Sequence, residues 1–341
     1  MKKLISILLA LLLAFCCAVP VFAASASDAA ETFVPVLRFI ASSDTHVVEE
    51  GGTTFNRIGM MLDNTYALAE ADPNYNRLDA LVVAGDLTNG GKKEQFDNFW
   101  KAVRGALRDE TEYMGIVAMN HDGYAMPHAQ MRAYYSSVTG KTPDFHTVIN
   151  GFHFIGISVS DNLVLHYDAG QLAWLKRQLD EAVGDTPDKP VFVIRHEPST
   201  GTTYGSWLFS VGVPYFRAIL NQYPQVFEIC GHSHYPLNDP RSLWQGEYTA
   251  IGTGAMYYAD FYVEHRTAFV PEDGYQTATY WVIEADASGR VRLRGMQLYT
   301  DACLCEYVLE NPADPANRDY TPESGKPPQR RRFSTRTRNR R

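Results

Sequence analysis

Between residues 34 and 300, short apolar runs alternate with stretches whose apolar positions recur at helical spacing. The runs are residues 36–41, 81–84, 116–119, 191–194 and 226–230. Continuous runs this short predict strands buried on both faces, as in sheets covered by helices. Phe96, Phe99, Trp100, Val103 and Leu107 fall on one helical face, as do Leu172, Leu175, Leu179 and Ala182. Residues 277–285 and 291–298 alternate more strictly and predict a second, more antiparallel sheet. No internal repeat is present.

Polar residues with chemistry in them follow every run. Asp44-Thr45-His46 follows the first and Gly85-Asp86 the second. Asn120-His121-Asp122 follows the third, His196 the fourth, and Gly231-His232-Ser233-His234 the fifth. In open α/β sheets, ligands gather beyond the carboxyl ends of the strands. Five strand ends therefore bring carboxylates, imidazoles and an amide to one edge. That mixture suits Mn, Fe, Zn or Co, whereas an all-oxygen set would suit Mg or Ca. Asp86 is the natural bridge between two such ions. His128, His146, His153, His166 and His265 stand outside this pattern and read as ordinary core or surface residues.

With 45% hydrophobic and 21% charged side chains the composition is that of a globular protein. The net charge of −8 averages over unlike pieces. Lys2 and Lys3 sit at the start, and seven arginines lie between Arg330 and Arg341. Residues 24–329 then hold 22 basic side chains against all 39 acidic ones, a net −17. So acidic a body is unsuited to wrapping a nucleic-acid backbone, and no specific nucleic-acid binding is expected.

The N-terminus has Lys2-Lys3, an uncharged apolar stretch from Leu4 to Val19, and small residues Val21 and Ala23. These are the parts of a secretory signal peptide over residues 1–23, with cleavage expected after Ala23. The stretch is short of the roughly 20 residues a membrane span needs, so no transmembrane anchor is expected. Outside that peptide, Cys230, Cys303 and Cys305 make neither a disulfide framework nor a zinc pattern. Prolines and arginines dominate the other end, so residues 306–341 are expected to be a disordered tail. It reads either as a plain extension or as an electrostatic attachment to anionic polymers.

Asp44-x-His46, Gly85-Asp86, Asn120-His121-Asp122, His196 and Gly231-His232-x-His234, in that order, resemble the calcineurin-like metallophosphoesterases. The resemblance spans roughly residues 36–260 and implies a catalytic domain over 33–305. It implies an α/β fold of two facing mixed β-sheets flanked by helices, a four-layer α/β/β/α sandwich. By the same resemblance Asp44, His46 and His234 would bind one metal, and Asn120, His196 and His232 a second, with Asp86 bridging. A metal-bridging hydroxide would attack a phosphate-ester small molecule in line. His121 would serve as proton donor or charge stabiliser, oriented by Asp122. Met119 stands where the family usually has Gly. Asn89 stands where purple acid phosphatases carry an iron-binding Tyr, which argues against a tyrosinate site.

Beyond the last motif, Asn238 and Arg241 are candidates for holding a substrate phosphate or sugar, and Tyr204, Trp207, Tyr257 and Tyr258 for lining a pocket. The competing reading of the whole chain is a non-catalytic scaffold. Such a scaffold is expected to have lost ligands, and here every ligand position is filled.

Overall fold

Helices fall between most of the apolar runs, and the chain winds from strand to helix to strand accordingly. The computed structural model describes residues 32–161, 166–209, 214–260 and 277–319. Strand β1 (Pro35–Ser42) leads through α1 (Thr53–Glu70) to β2 (Ala80–Ala84), then through α2 (Lys93–Ala106) to β3 (Glu112–Ile116). These three strands pair in parallel. After α3 (His128–Thr139), the hairpin β4 (Phe145–Ile149) and β5 (Phe152–Gly156) opens a second sheet. Helix α4 (Ala169–Asp185) crosses to β6 (Val191–Ile194). Short helices α5 (Ser206–Phe209) and α6 (Pro214–Leu220) precede β7 (Val226–Cys230), and β8 (Leu243–Gln245) and β9 (Thr249–Gly252) complete that sheet. The chain then returns to the first sheet with β10 (Thr279–Asp286), β11 (Val291–Gln297) and β12 (Ala302–Leu309).

The strand orders are β12-β11-β10-β1-β2-β3 and β4-β5-β6-β7-β9-β8. Between the sheets lies one core, where the Phe39 ring meets Phe154 at 5.1 Å and Phe192 at 4.9 Å. A second core joins the outer face of the first sheet to α1, α2 and α3 through residues such as Ile58, Phe96, Phe99 and Met131. A third joins the second sheet to α4 through Leu175, Leu179 and Ala182. Each fully buried aliphatic or Phe side chain contributes about 1.5–3 kcal/mol. The architecture is the expected four-layer α/β/β/α sandwich.

Three expectations shift. The third apolar run is not itself the strand: β3 pairs residue for residue with the five of β2, from Ala80↔Glu112 to Ala84↔Ile116. Val117 and Ala118 are buried beyond the last pair, so hydrophobicity marks the core while the partner's length sets the strand. Strands β10 and β11 do not form a second sheet. They extend the first one, because β10 pairs antiparallel with β1. Nor does the tail begin at 306. β12 runs to Leu309, and the buried Arg318 donates to the carbonyls of Pro312, Gly246 (3.0 Å), Glu247 (2.7 Å) and Pro224. One guanidinium thus ties a proline-punctuated stretch to the domain, which composition does not reveal. The signal peptide, His265 and residues 320–341 lie outside the described residues. Cys230, Cys303 and Cys305 are free thiols. No helix among the described residues is long and apolar enough to cross a membrane.

Candidate metal centre

The strand ends deliver their polar residues on a backbone that most side chains avoid. Asp44 (φ 52), His46 (φ 45), Asp86 (φ 50), His232 (φ 68) and His234 (φ 56) all sit in the left-handed region. Asp and His tolerate this region better than most residues, yet each such position still costs of order 1–3 kcal/mol. Backbone hydrogen bonds hold the turns: Asp44 N to Gly85 O at 3.0 Å, His46 N to Asp86 O at 3.1 Å, and Gly231 N to His196 O at 2.9 Å. Two glycines are required where the turns touch. A Cβ on Gly85 would lie 2.8 Å from His196 Nδ1, and one on Gly231 2.4 Å from Ser43 Oγ.

All seven expected metal ligands converge. Asp44, His46 and His234 bring ligand atoms within 4.8 Å of one another, and so do Asp86, His196 and His232. Asp86 joins a further set with His46 and His121, which places its carboxylate between the two halves. His46 Nε2 lies 3.8 Å from both Asp44 Oδ1 and Asp86 Oδ2. Asn120 donates its amide to Asp86 Oδ2 at 2.9 Å.

Whether these residues fit metal ions is decided by their hydrogen bonds. His234 donates Nδ1 to the Tyr258 carbonyl (3.1 Å), and His196 donates Nδ1 to the Ala84 carbonyl (2.8 Å). In a neutral ring the bare Nε2 then faces inward. It meets a carboxylate oxygen each time: Asp44 Oδ1 at 2.9 Å from His234, and Asp86 Oδ2 at 3.2 Å from His196. Two acceptors in contact need a proton or a cation between them. His46 Nε2, Asp86 Oδ1, Asn120 Oδ1 and His196 Nε2 are moreover buried without a hydrogen-bond partner. Such atoms cost about 1–3 kcal/mol each if nothing occupies them. Their mixed N and O chemistry fits two borderline metal ions.

The pKa directions follow the same pairing of imidazoles with carboxylates. Burial opposes ionisation of Asp44, but His234 and His196 hold its carboxyl well below the usual range. Asp86 is likewise lowered against its burial, chiefly by His196. His196 and His234 are raised despite burial, each by its facing carboxylate. Burial and neighbouring His196 push His232 down to about 4, which keeps the imidazole neutral and able to ligate.

His121 belongs to the centre, but Asp122 does not orient it. The imidazole donates Nδ1 to the Asn89 carbonyl at 2.9 Å and stands edge-on to His46 at 4.2 Å. Burial lowers its pKa. The buried Asp122 carboxylate instead accepts from Leu87 N, Thr88 N, Thr88 Oγ1 and Ala118 N, at 2.9–3.2 Å. It staples the loop after β2 to the loop after β3. Burial and the adjacent Asp86 raise it to about 6.

Asn89 and Arg57 escaped sequence reasoning as contributors, while Tyr257 and Tyr258, expected to line a pocket, lie against the centre. Asn89, noticed there only as a missing tyrosine, bonds His46 Nδ1 through its side chain (3.3 Å) as well as His121 through its carbonyl. Tyr257 lies against His46 at 4.9 Å and Tyr258 against His234 at 4.3 Å, while Arg57 donates to the Met256 and Tyr257 carbonyls. Tyr204 packs with Trp207 at 5.5 Å and with Tyr235 at 4.3 Å. Arg241 pairs with Asp239 (2.8 and 2.5 Å) and lies over the Tyr204 ring. Asn238 is exposed, and neither bonds a residue of the centre. His128 binds the Ser160 carbonyl, His146 binds His153, and His166 lies 3.6 Å from Glu197, all outside the ligand sets.

Known proteins are similar to this chain in sequence and in fold. A family model described as calcineurin-like phosphoesterase matches residues 37–236. Glycerophosphodiester phosphodiesterase GpdQ of Enterobacter lignolyticus is 25% identical over 199 residues, covering 56% of this chain and 69% of that protein. A probable glycerophosphodiester phosphodiesterase GpdQ of Arcobacter nitrofigilis is 25% identical over 256 residues, covering 71% and 88%. Among solved structures, the purple acid phosphatase PPD1 from yellow lupin (Lupinus luteus) seeds superposes with a TM-score of 0.58 at 13% identity. That match covers 86% of this chain and spans 56% of the lupin protein, a likeness of fold.

Proposed function

The chain belongs to the calcineurin-like phosphoesterase family and is a metal-dependent phosphoric ester hydrolase, and from that premise we propose that it cleaves phosphodiesters of small alcohols outside the cytoplasm. The observation that carries the metal requirement is the pair of bare imidazole nitrogens facing carboxylate oxygens, His234 on Asp44 and His196 on Asp86. Asp44, His46 and His234 would hold one ion and Asn120, His196 and His232 the other, with Asp86 shared. When bound, such ions acidify water and neutralise phosphate charge. The diester preference is supported by the two phosphodiesterase relatives. The location is supported by the Lys2-Lys3, apolar and Val21-x-Ala23 pattern.

The protein's own groups supply orientation and a proton. In the hydrolysis a water oxygen bonds to phosphorus as the bond to the alcohol oxygen breaks on the opposite side. Because Nδ1 of His121 is held by the Asn89 carbonyl, Nε2 is the atom that faces the reaction. A proton carried there passes to the departing oxygen, a role typically worth 10²- to 10⁴-fold. The buried Asp122 fixes the loops that carry the ligands, and the half-buried Tyr257 and Tyr258 rings pack against His46 and His234.

The test compares a methyl p-nitrophenyl phosphodiester with p-nitrophenyl phosphate, for protein loaded with Mn, Fe, Zn or Co and after chelation. The diester is expected to be the better substrate, and chelation to abolish both activities. Metal-loaded protein that cleaves neither ester would support the scaffold reading. Mature protein beginning near residue 24 in the extracytoplasmic fraction would confirm export, and an intact Met1 in the cytoplasm would refute it.

A further inference from the structure

Helix α1 buries a single charged side chain, Arg57, while its Asp63 and Glu70 are exposed. A guanidinium taken out of water needs good acceptors. Arg57 finds them beyond its own helix. Nη1 donates to the Met256 carbonyl at 2.6 Å and to that of Tyr257, and Nε donates to the Tyr299 hydroxyl at 2.7 Å. The Tyr299 ring also faces the guanidinium, with its centroid 5.3 Å from Cζ.

The two carbonyls belong to residues 253–260, which lie outside every helix and strand. This segment is tied to the ligand-bearing loops at two points. Met256 N donates to the Ser43 carbonyl at 3.2 Å, and Asp260 N to the His234 carbonyl at 2.9 Å. Between them, the Tyr258 carbonyl accepts Nδ1–H of His234 at 3.1 Å. The Tyr257 ring stands 4.9 Å from His46, and the Tyr258 ring 4.3 Å from His234. One irregular segment thus packs on both imidazoles of the Asp44, His46 and His234 set and fixes the tautomer of one. Peptide planarity carries the hold of Arg57 forward, because fixing the Tyr257 carbonyl fixes the peptide plane that leads into Tyr258. The other set is held differently: His196 bonds the carbonyl of Ala84, the last residue of β2.

We propose that Arg57 is a positioning residue for the ion bound by Asp44, His46 and His234, setting its affinity through the Met256–Tyr258 backbone. Removing a group that orients a ligating imidazole through its other nitrogen typically weakens metal binding by about 10- to 100-fold. The assignment rests on the metal reading of the centre and adds to it a residue that is itself no ligand.

The test isolates each ion in turn. Asn120→Ala with His232→Ala keeps Asp44, His46, His234 and the shared Asp86. His46→Ala with His234→Ala keeps Asn120, His196, His232 and Asp86. Each full-length double variant is titrated with Co(II) in a chelator-buffered series and is expected to bind one ion per chain. Adding Arg57→Met keeps an unbranched stem and removes every donor. It should raise the Kd about 10- to 100-fold in the first background and leave it within about twofold in the second. Arg57→Lys keeps the charge and a donor, so it should raise the first Kd by a smaller factor and again spare the second. If Arg57→Met shows no cooperative unfolding transition without metal, the Arg57→Lys pair decides the comparison. A residue that merely anchors α1 would shift both Kd values alike or neither. Either result overturns the proposal and leaves the metal centre standing. A tighter first ion in Arg57→Met would also overturn it, since the charge of Arg57 would then oppose the ion more than its bonds hold the site. If neither background binds an ion with Arg57 intact, the metal reading falls and the proposal with it.

Discussion

Strand β1 carries a buried charged cluster near each end, and the two are completed in opposite ways. Near its start, Arg38 spends its donors on protein: Nε on Glu284 at 2.7 Å, Nη2 on Asp72 at 2.5 Å, and Nη1 on the carbonyls of Tyr75 and Arg77. Beyond its other end, Asp44 and His46 join a cluster in which His46 Nε2, Asp86 Oδ1, Asn120 Oδ1 and His196 Nε2 have no hydrogen-bond partner. Burial and charge are alike in both. What separates them is that one closes its own hydrogen bonds and the other is complete only around an added ion. Four open polar atoms gathered around one point set this cluster apart, because each carries a desolvation cost that an ion at that point would offset.

The largest effects should come from breaking each cluster at its centre, and they should fall on different observables. Glu284→Ala removes the fully buried carboxylate that Arg38 shares with Arg292, leaving Arg38 only Asp72, and should cost about 3–5 kcal/mol in denaturant unfolding. Metal content per folded molecule should stay at the wild-type level. Asp86→Ala removes the shared ligand, so metal analysis should fall toward zero and turnover below detection. If Asp86→Ala retained two ions per chain, the bridging assignment would be wrong. Next comes His121→Ala, which should lower kcat by about 10²- to 10⁴-fold with both metals retained. Wild-type turnover of an unactivated ester in that variant would remove His121 from the chemistry.

The open cluster was the legible one. Its residues are chemically rare, they follow apolar runs directly, and the rule that strand ends gather ligands brings them together without any knowledge of sheet order. The closed cluster was not legible, since Arg38 and Glu284 are 246 residues apart and meet only because β1 pairs with β10, in register Arg38↔Glu284. The same pairing is why β10 and β11 were misassigned to another sheet: alternation reports which faces are buried and says nothing of the neighbour. Asp122 misled for a related reason, its adjacency to His121 suggesting a contact that the 3-10 turn does not make. One missed element did have a signal. Asn150-Gly151, at φ 52 and 76, is the two-residue turn that joins β4 to β5, and Asn-Gly between apolar stretches is a strong hairpin cue.

A smaller effect tests the idea that the open cluster waits for a cation. Metal at 100 times its Kd should stabilise the fold by about 2.7 kcal/mol, read as a rise in the thermal midpoint that chelation reverses. Asp86→Ala should abolish that rise, whereas Glu284→Ala should begin lower and gain the same increment. An increment lost in Glu284→Ala would mean that the two ends of β1 are coupled, and the contrast between them would fail.

The smallest effect concerns a third charged pair, Asp239 with Arg241, which is neither buried nor open. Arg241 is 46% exposed, and such pairs contribute about 0–1 kcal/mol. Burial works against ionisation of Asp239, but the hydrogen bonds and charge of Arg241 hold its pKa below the ordinary value of 3.8. A carboxyl lowered on folding contributes stability above its unfolded pKa and loses it as the pH falls through the folded one. Arg241→Ala should therefore cost under about 1 kcal/mol at pH 7, with the difference shrinking below pH 4. The same variant should leave KM for the phosphodiester within about twofold, since the guanidinium is already engaged by Asp239 and the Tyr204 ring. A tenfold rise in KM would show instead that Arg241 leaves Asp239 to hold substrate, and would move the loop after His234 into the binding site.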